Sequence, residues 1–178
     1  MIWITGLSGV GKSSIAAQLA KSMGAEGVHP VVLDGDGLRS VLGREGDGYD
    51  SPSRRRLAGI YSRLCRLLAS QGHVVICATI ALFHEVHLWN RAHLPGYFEV
   101  FVAVPLEELR RRDTKGVYDR ARRDAVGLAV SAEYPLRPDL TIANHGSMTP
   151  EAAADEILRG WSREERRSEA DVRPGAGR

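Results

Sequence analysis

The chain has 178 residues, of which 43% are hydrophobic and 26% charged, with a formal net charge of +2 at pH 7. This length suits one domain with a substantial core, and the near balance of charge gives no reason to expect nucleic acid or an acidic membrane as a partner. No window approaches the roughly 20 apolar residues of a membrane span, and the first residues lack a signal-peptide pattern, so we expect a cytoplasmic protein.

Short apolar runs rich in β-branched residues predict five strands. They cover residues 2–5, 31–34, 73–79, 98–104 and 140–143. Helical spacing of apolar residues appears over 13–23 and 54–70, Gly72 fits a helix stop, and Pro105 fits the first turn of a further helix. Strands that alternate with helices predict a three-layer α/β domain with a central parallel sheet, in which ligands bind at the carboxyl ends of the strands.

Nothing in the middle of the chain divides it into two domains. We therefore predict one domain over residues 1–163 and a flexible tail over 164–178, whose charged residues, glycines and proline offer little to bury.

Between the first strand and the first helix the sequence GLSGVGKS (6–13) satisfies GxxxxGK[ST] at every fixed position. The glycines let successive backbone N–H groups turn inward, and the helix that follows adds its positive end. Lys12 would reach the β and γ phosphates, and the Ser13 hydroxyl would bind Mg²⁺. A plain glycine-rich turn would need neither side chain, so we predict a site for a nucleoside triphosphate.

The second strand runs into LDGDGLR (33–39), where two carboxylates flank a glycine. Strand tips of a parallel sheet share one edge, so Asp34 and Asp36 should face the same edge as the triphosphate. We predict that Asp36 orients the attacking oxygen and takes its proton, and that Asp34 assists the metal or the acceptor. Arg39 would clamp a phosphate or sulfate. The alternative is that one aspartate only caps a short helix and that Arg39 is a solvated surface residue.

Two rival functions are open at this point. DGDG also satisfies the DxxG of GTPase switches, but the late NKxD element that reads guanine is missing: TIANHGSM (141–148) offers Asn144 without the lysine or the aspartate. A GTPase-like switch is therefore disfavoured, whereas a non-catalytic or regulatory nucleotide-binding protein stays the alternative to an enzyme.

Neither the histidines nor the cysteines predict a metal site. Four of the six histidines lie within 73–93, but His84 and His87 are only i, i+3 and no HExxH occurs, so we interpret them as surface residues of a helix. Cys65 and Cys77 lie in apolar patterns and predict buried thiols.

The order of these motifs resembles that of the adenylylsulfate kinases, small P-loop enzymes that phosphorylate the 3'-hydroxyl of adenylylsulfate. The resemblance spans about residues 2–145. It rests on GLSGVGKSS, LDGDGLRSVLG, HVVICATI, VPLEELRRRDTKGVYDRARR and EYPLRPDLTI. It implies a P-loop kinase fold with ATP and Mg²⁺ as cofactors, a nucleotide acceptor and a homodimer.

The resemblance also implies roles for individual residues. Those that would bind the ATP phosphates and the metal are Ser8, Gly9, Val10, Gly11, Lys12, Ser13 and Ser14. Those that would face the acceptor are Asp34, Asp36, Arg39, Tyr49, Arg54 and Ile80, with Tyr49 stacking on the acceptor base. The basic segment 110–124, with seven Lys or Arg among its fifteen residues, would form most of a lid over about 110–130, in which Lys115 matches the lid lysine of the family. For a single arginine there, a solvated helix face is the alternative.

Three departures from the family pattern fall on the acceptor side. Leu57 stands where the family usually has an asparagine, Ala81-Leu82-Phe83 replaces Ser-Pro-Tyr, and 127–130 replaces a Gly-Phe-Thr-Gly segment. The stretch 80–102 resembles a branch of the family whose members act on cytidine diphosphoramidate. The acceptor is therefore either cytidine diphosphoramidate or adenylylsulfate.

Overall fold

The computed structural model describes residues 1–46, 48–113 and 132–172. Its strands are β1 (Ile2–Thr5), β2 (Val31–Asp34), β3 (Val75–Thr79), β4 (Phe98–Ala103) and β5 (Leu140–Ala143). Its α-helices are α1 (Lys12–Ala25), α2 (Gly35–Leu42), α3 (Ser51–Ser70), α4 (His84–His93), α5 (Leu106–Arg112) and α6 (Pro150–Val172), and a 3₁₀ turn covers Gly43–Glu45.

The five strands form one parallel sheet in the order β2-β3-β1-β4-β5. This confirms the predicted α/β fold. β1 occupies the centre, where Ile2 pairs with Ile76 of β3 and with Phe98 of β4. β2 is separated from β1 by β3, so the strand that carries Asp34 is a near neighbour of the loop strand rather than its direct partner.

Two apolar cores cover the two faces of the sheet. Ile2 and Ile4 of β1 enter the core beneath α1 and α6, whereas Trp3 enters the core beneath α3 and α4. All three side chains are fully buried. Because successive side chains of β1 pack into the cores on opposite faces of the sheet, the strand is held in place, and the loop that follows it starts from a rigid position.

The third strand was predicted to start at residue 73, but that residue belongs to the end of the preceding helix. Gly72 has a φ of 88° and its N–H donates to the Ala69 carbonyl, while the N–H of His73 donates to the Leu68 carbonyl. This pair of bonds is the glycine stop of a helix, so β3 begins at Val75 instead of residue 73.

At the other end of the chain, α6 continues to Val172 and therefore runs into the segment 164–178 that we predict to be a flexible tail. Residues such as Glu, Arg and Ala are good helix formers, which explains the helical backbone there. The flexibility of this tail and the boundary at 163 stay predictions. Within the described ranges, no helix is long and apolar enough to cross a membrane.

Candidate active site

The phosphate loop joins β1 to α1 through three glycines that no other residue could replace without strain. Gly9 and Gly11 have φ angles of 73° and 89°. A Cβ on Gly6 would lie 2.5 Å from the carbonyl oxygen of Val102. Left-handed backbone and close approach both favour glycine, and they allow the N–H groups to point into the loop.

Lys12, the first residue of α1, is buried with a relative exposure of 9%. Its Nζ donates hydrogen bonds to the carbonyl oxygens of Gly6, at 3.1 Å, and Leu7, at 2.6 Å. The ammonium group thus lies over its own loop, where a triphosphate would be held.

Asp34 links the second strand to the phosphate loop. Its Oδ2 accepts a hydrogen bond of 2.5 Å from the Ser13 hydroxyl. Its Oδ1 accepts the N–H groups of Asp36, at 2.9 Å, and Gly37, at 3.4 Å, and so caps α2. The capping alternative considered from the sequence therefore holds for Asp34, but the same carboxylate also contacts the predicted metal-binding serine.

A cavity of about 250 Å³ lies at the carboxyl ends of the strands. The predicted residues that line it are Ser8, Gly9, Gly11, Lys12, Ser13, Asp34, Asp36 and Ile80. The structure thus brings the phosphate loop, both aspartates and the end of β3 into one space. Val10 is buried in the core and Ser14 is exposed in the first turn of α1; neither is part of this lining.

Arg112 and Asp113, at the end of α5, line the same cavity. The Nε of Arg112 donates to Glu108 Oε1 at 2.6 Å, and its Nη1 donates to the carbonyl oxygen of Asn144 at 3.1 Å. The sequence shows a basic segment here, but its pattern alone does not distinguish one arginine from its neighbours. Arg112 differs from Arg110 and Arg111 only in its tertiary position, because the packing of α5 decides which of these arginines lines the cavity.

Asn144 acts on the phosphate loop. Its Nδ2 donates a hydrogen bond of 2.7 Å to the carbonyl oxygen of Val10, and the side chain is buried. A Cβ on Gly11 would lie 2.7 Å from the same nitrogen. The sequence motif suggests for Asn144 only a comparison with guanine-reading elements, whereas in the structure its amide fixes the turn that precedes Lys12.

The remaining acceptor-side residues lie on α2, on α3 and in the loop between them, outside the lining of this cavity. Arg39 Nη1 donates to the carbonyl oxygens of Gly46, at 2.6 Å, and Gly48, at 3.0 Å, and its guanidinium carbon lies 4.7 Å from the centroid of the Tyr49 ring. The surface alternative for Arg39 is therefore wrong. Arg54 is half-buried near the start of α3. Lys115, most of the lid segment and residues 127–130 lie outside the described residues.

The interpretation of the histidines as surface residues is wrong for one of them. His87 is 6% exposed, its Nε2 lies 2.9 Å from the carbonyl oxygen of Ala81, and its Nδ1 lies 3.6 Å from Glu99 Oε1. Burial lowers the pKa of His87, although the charge of Glu99 acts in the opposite direction. Within the described ranges, no cluster of three His, Cys, Asp or Glu residues could hold a metal ion.

The prediction of buried thiols is confirmed, since Cys65 and Cys77 are both fully buried and free. A hydrogen bond with Cys65, together with burial, raises the pKa of Cys77 well above its usual value. A thiol of this kind is a poor nucleophile at neutral pH, so we assign it to packing.

A parallel sheet whose central strand delivers a phosphate loop, with a carboxylate from a nearby strand tip in the same cavity, defines a P-loop kinase, an ATP-dependent phosphotransferase that acts on a hydroxyl group. The family model described as adenylylsulphate kinase matches residues 1–143. The chain therefore belongs to the adenylylsulphate kinase family.

Individual relatives agree with this assignment. A cytidine diphosphoramidate kinase of Campylobacter jejuni is 34% identical over 148 residues, which cover 81% of this chain and 85% of the relative. An adenylyl-sulfate kinase of Burkholderia ambifaria is 37% identical over 148 residues, which cover 80% of this chain and 81% of the relative. Among solved structures, an APS kinase of Mycobacterium tuberculosis in complex with AMPPNP and APS matches with a TM-score of 0.81 and 31% identity, over 90% of this chain and 96% of that one.

Proposed function

We propose that this chain transfers the γ-phosphoryl group of ATP, bound with Mg²⁺, to the ribose 3'-hydroxyl of a nucleotide acceptor, either cytidine diphosphoramidate or adenylylsulfate. The observation that carries the proposal is that Lys12 of the phosphate loop and Asp36 of α2 line one cavity of about 250 Å³. Phosphoryl transfer depends mainly on holding donor and acceptor in line and on balancing charge, which one shared cavity achieves.

The donor half of the cavity fits a Mg²⁺-bound triphosphate. The oxygen atoms of Ser13 and Asp34 are the hard ligands, direct or through water, that Mg²⁺ prefers. When bound, the metal would neutralise charge on the phosphates. The glycine turns present backbone N–H groups, and Lys12 and Arg112 add two cations at the same cavity.

Asp36 is the group that we assign to the acceptor hydroxyl. Asp34 is committed to Ser13 and to two backbone N–H groups, which fix its orientation. Asp36 lies two residues further along the chain, in the first turn of α2, and lines the cavity. A carboxylate in this position can orient the attacking oxygen and accept its proton as the new bond to phosphorus forms.

The residues that depart from the usual adenylylsulfate kinase pattern weigh against adenylylsulfate, and so favour cytidine diphosphoramidate of the two acceptors. Leu57 is 1% exposed, and Ala81, Leu82 and Phe83 are all buried. Polar groups usual in adenylylsulfate kinases are therefore replaced by side chains that pack in the core, and a polar acceptor group left without a partner commonly loses about tenfold to a hundredfold in affinity. The two named relatives do not separate the acceptors, since their identities to this chain are 34% and 37%.

The proposal is tested by incubating the purified protein with Mg-ATP and each acceptor in turn and following ADP release and the phosphorylated product. We expect turnover with at least one acceptor, higher with cytidine diphosphoramidate, and only slow ADP release when no acceptor is added. As the control for the metal, turnover is measured without Mg²⁺ and again as Mg²⁺ is added back in increasing concentrations. Tight ATP binding without turnover of either acceptor would instead favour a regulatory nucleotide-binding protein.

Two further parts of the proposal rest on the family resemblance. Lys115 would contact the anionic groups of the acceptor, and Lys115→Ala should raise the KM for the acceptor more than the KM for ATP.

The second part is that the protein forms a homodimer. A homodimer would appear as a doubled mass in sedimentation equilibrium, whereas a monomer over the full concentration range would refute it.

A further inference from the structure

The segment 80–83 connects β3 to α4 and brings Ile80 to the cavity of the phosphate loop. None of its four residues is proline, so its backbone is held by contacts with other elements. Two of these contacts come from buried side chains. The Thr5 hydroxyl donates to the carbonyl oxygen of Ile80 at 2.8 Å, and His87 Nε2 lies 2.9 Å from that of Ala81.

The first turn of α4, which follows this segment, takes its cap from a residue far along the chain. Phe83, at the N-cap position, makes no capping bond with its side chain. Instead, Glu133 Oε2 accepts a hydrogen bond of 2.6 Å from the N–H of His84, and the N–H of Glu133 donates to the Leu82 carbonyl at 3.2 Å. A carboxylate at this end of a helix satisfies an N–H without an intrahelical partner and faces the positive end of the helix dipole.

Arg55 of α3 contacts the same carboxylate. Its Nη2 lies 3.8 Å from Glu133 Oε1, its Nη1 lies 2.7 Å from Glu85 Oε2, and its guanidinium carbon lies 4.8 Å from the centroid of the Phe83 ring, within the range of a cation–π contact. The side chains of Arg55 and Glu133 are 43% and 37% exposed, so their ion pair contributes little to overall stability. Its consequence is local, because the contacts connect α3 to the start of α4.

We propose that Glu133 and Arg55 are positioning residues for the acceptor. Together they join the start of α3 to the segment 80–83, and so set the distance between the two elements that carry Arg54 and Ile80. The inference rests on the proposed function, in which Arg54 and Ile80 face the acceptor. Neither Glu133 nor Arg55 is among the described residues that line the cavity of the phosphate loop, so both act through the elements that they join.

Hydrogen exchange of the protein without substrate tests the structural half of the proposal. Glu133→Ala removes the cap, and exchange of the amides at residues 83–87 should accelerate by about fivefold, with little change elsewhere. Glu133→Gln keeps an oxygen that can accept the His84 N–H, so most of the protection should return. Glu151→Ala removes an exposed acid from the first turn of α6 and is the matched control. Unchanged exchange in Glu133→Ala would overturn the proposal, whatever the protein phosphorylates.

Steady-state kinetics test the functional half. Glu133→Ala and Arg55→Met should each raise the KM for the acceptor by about fivefold, while kcat and the KM for ATP change little. A general loss of folding would not produce this split between the two KM values. Glu133→Gln should recover most of the loss, and Glu151→Ala should keep the normal constants. An equal rise in both KM values would contradict a role in placing the acceptor.

A double-mutant cycle decides whether the two residues act together. When Glu133 is already alanine, Arg55→Met should add little to the acceptor KM. If Arg55 instead contacted the acceptor directly, its effect would be undiminished in that background, and this outcome would refute the joint role. Failure of the proposed function is seen separately, as absence of turnover in the unaltered protein, and the exchange measurement then still decides whether Glu133 holds the start of α4.

Discussion

The Ser13 hydroxyl, in the phosphate loop, donates a hydrogen bond of 2.5 Å to Asp34 at the end of β2. The strand that carries Asp34 does not pair with β1, because β3 lies between them. The bond therefore crosses the carboxyl edge of the sheet and connects the phosphate loop to the start of α2, the helix that carries Asp36. The same carboxylate caps α2, so the proposed metal site and the position of Asp36 depend on one side chain.

Substitution of Asp34 should separate its two roles. Asp34→Asn keeps an oxygen that can cap α2 and should cost little stability, whereas Asp34→Ala removes the cap and should lower the free energy of unfolding by about 1 kcal/mol. Both should raise the Mg²⁺ concentration needed for half-maximal turnover by about tenfold. Thermal melts and Mg²⁺ titrations of turnover measure the two effects. An unchanged Mg²⁺ requirement in both variants would show that Asp34 only caps the helix.

Asp36→Asn should reduce kcat by roughly 100- to 10,000-fold, the range that a general base contributes. The asparagine keeps the size of the side chain but cannot accept a proton, so ATP binding should be nearly unaffected. Single-turnover assays with saturating ATP, together with direct titration of an ATP analogue, check both parts. If kcat is retained, the acceptor proton leaves by another route and our assignment is wrong.

Asn144→Ala should weaken ATP binding by about tenfold, because the buried Val10 carbonyl loses its partner and the turn before Lys12 is no longer fixed. The adjacent exposed residue supplies the control, since His145→Ala leaves that bond in place. Calorimetric titration of both variants with an ATP analogue is the measurement. Equal affinities in the two variants would mean that the loop is held without Asn144.

His87 should make stability depend on pH. Burial lowers its pKa below the usual 6.5, so the folded protein binds this proton more weakly than the unfolded chain does. The contribution of His87 is therefore fully present above pH 6.5 and is lost as the pH falls through the lowered folded value. His87→Gln should make the fall in Tm between about pH 7 and about pH 5 shallower. The exposed His73→Gln variant serves as comparison, and parallel profiles for all three proteins would contradict the prediction.

Strand bounds and loop conformation could be predicted from the sequence wherever one contiguous segment contains all the residues that determine them. The turn 6–13 carries its glycines, lysine and serine in one stretch, and β1 and β2 have the bounds that the apolar runs predict. The start of β3 was missed because the glycine stop of α3 continues to His73, and such a stop becomes visible only when both of its hydrogen bonds are known.

Residues whose role depends on a distant partner were harder to predict. Arg112 was one arginine among several, His87 looked like a surface histidine, and Asn144 was judged only against a guanine motif. For Arg112 and Asn144 the partners are distant along the chain: Arg112 and Asn144 are 32 residues apart, and Asn144 and Val10 are 134 residues apart. No local periodicity encodes such pairs, since they arise when separate strands end at the same edge.

The sequence by itself determined the fold class, the phosphate loop and the candidate general base, because contiguous residues supply the donors, the glycine conformations and the apolar periodicity that these features need. Only the tertiary structure decided which arginine of α5 lines the cavity, what Arg39 holds, and that Asp34 serves both a helix and the phosphate loop. The physical reason is that these roles are contacts between elements, and their free energy depends on distances that packing alone sets.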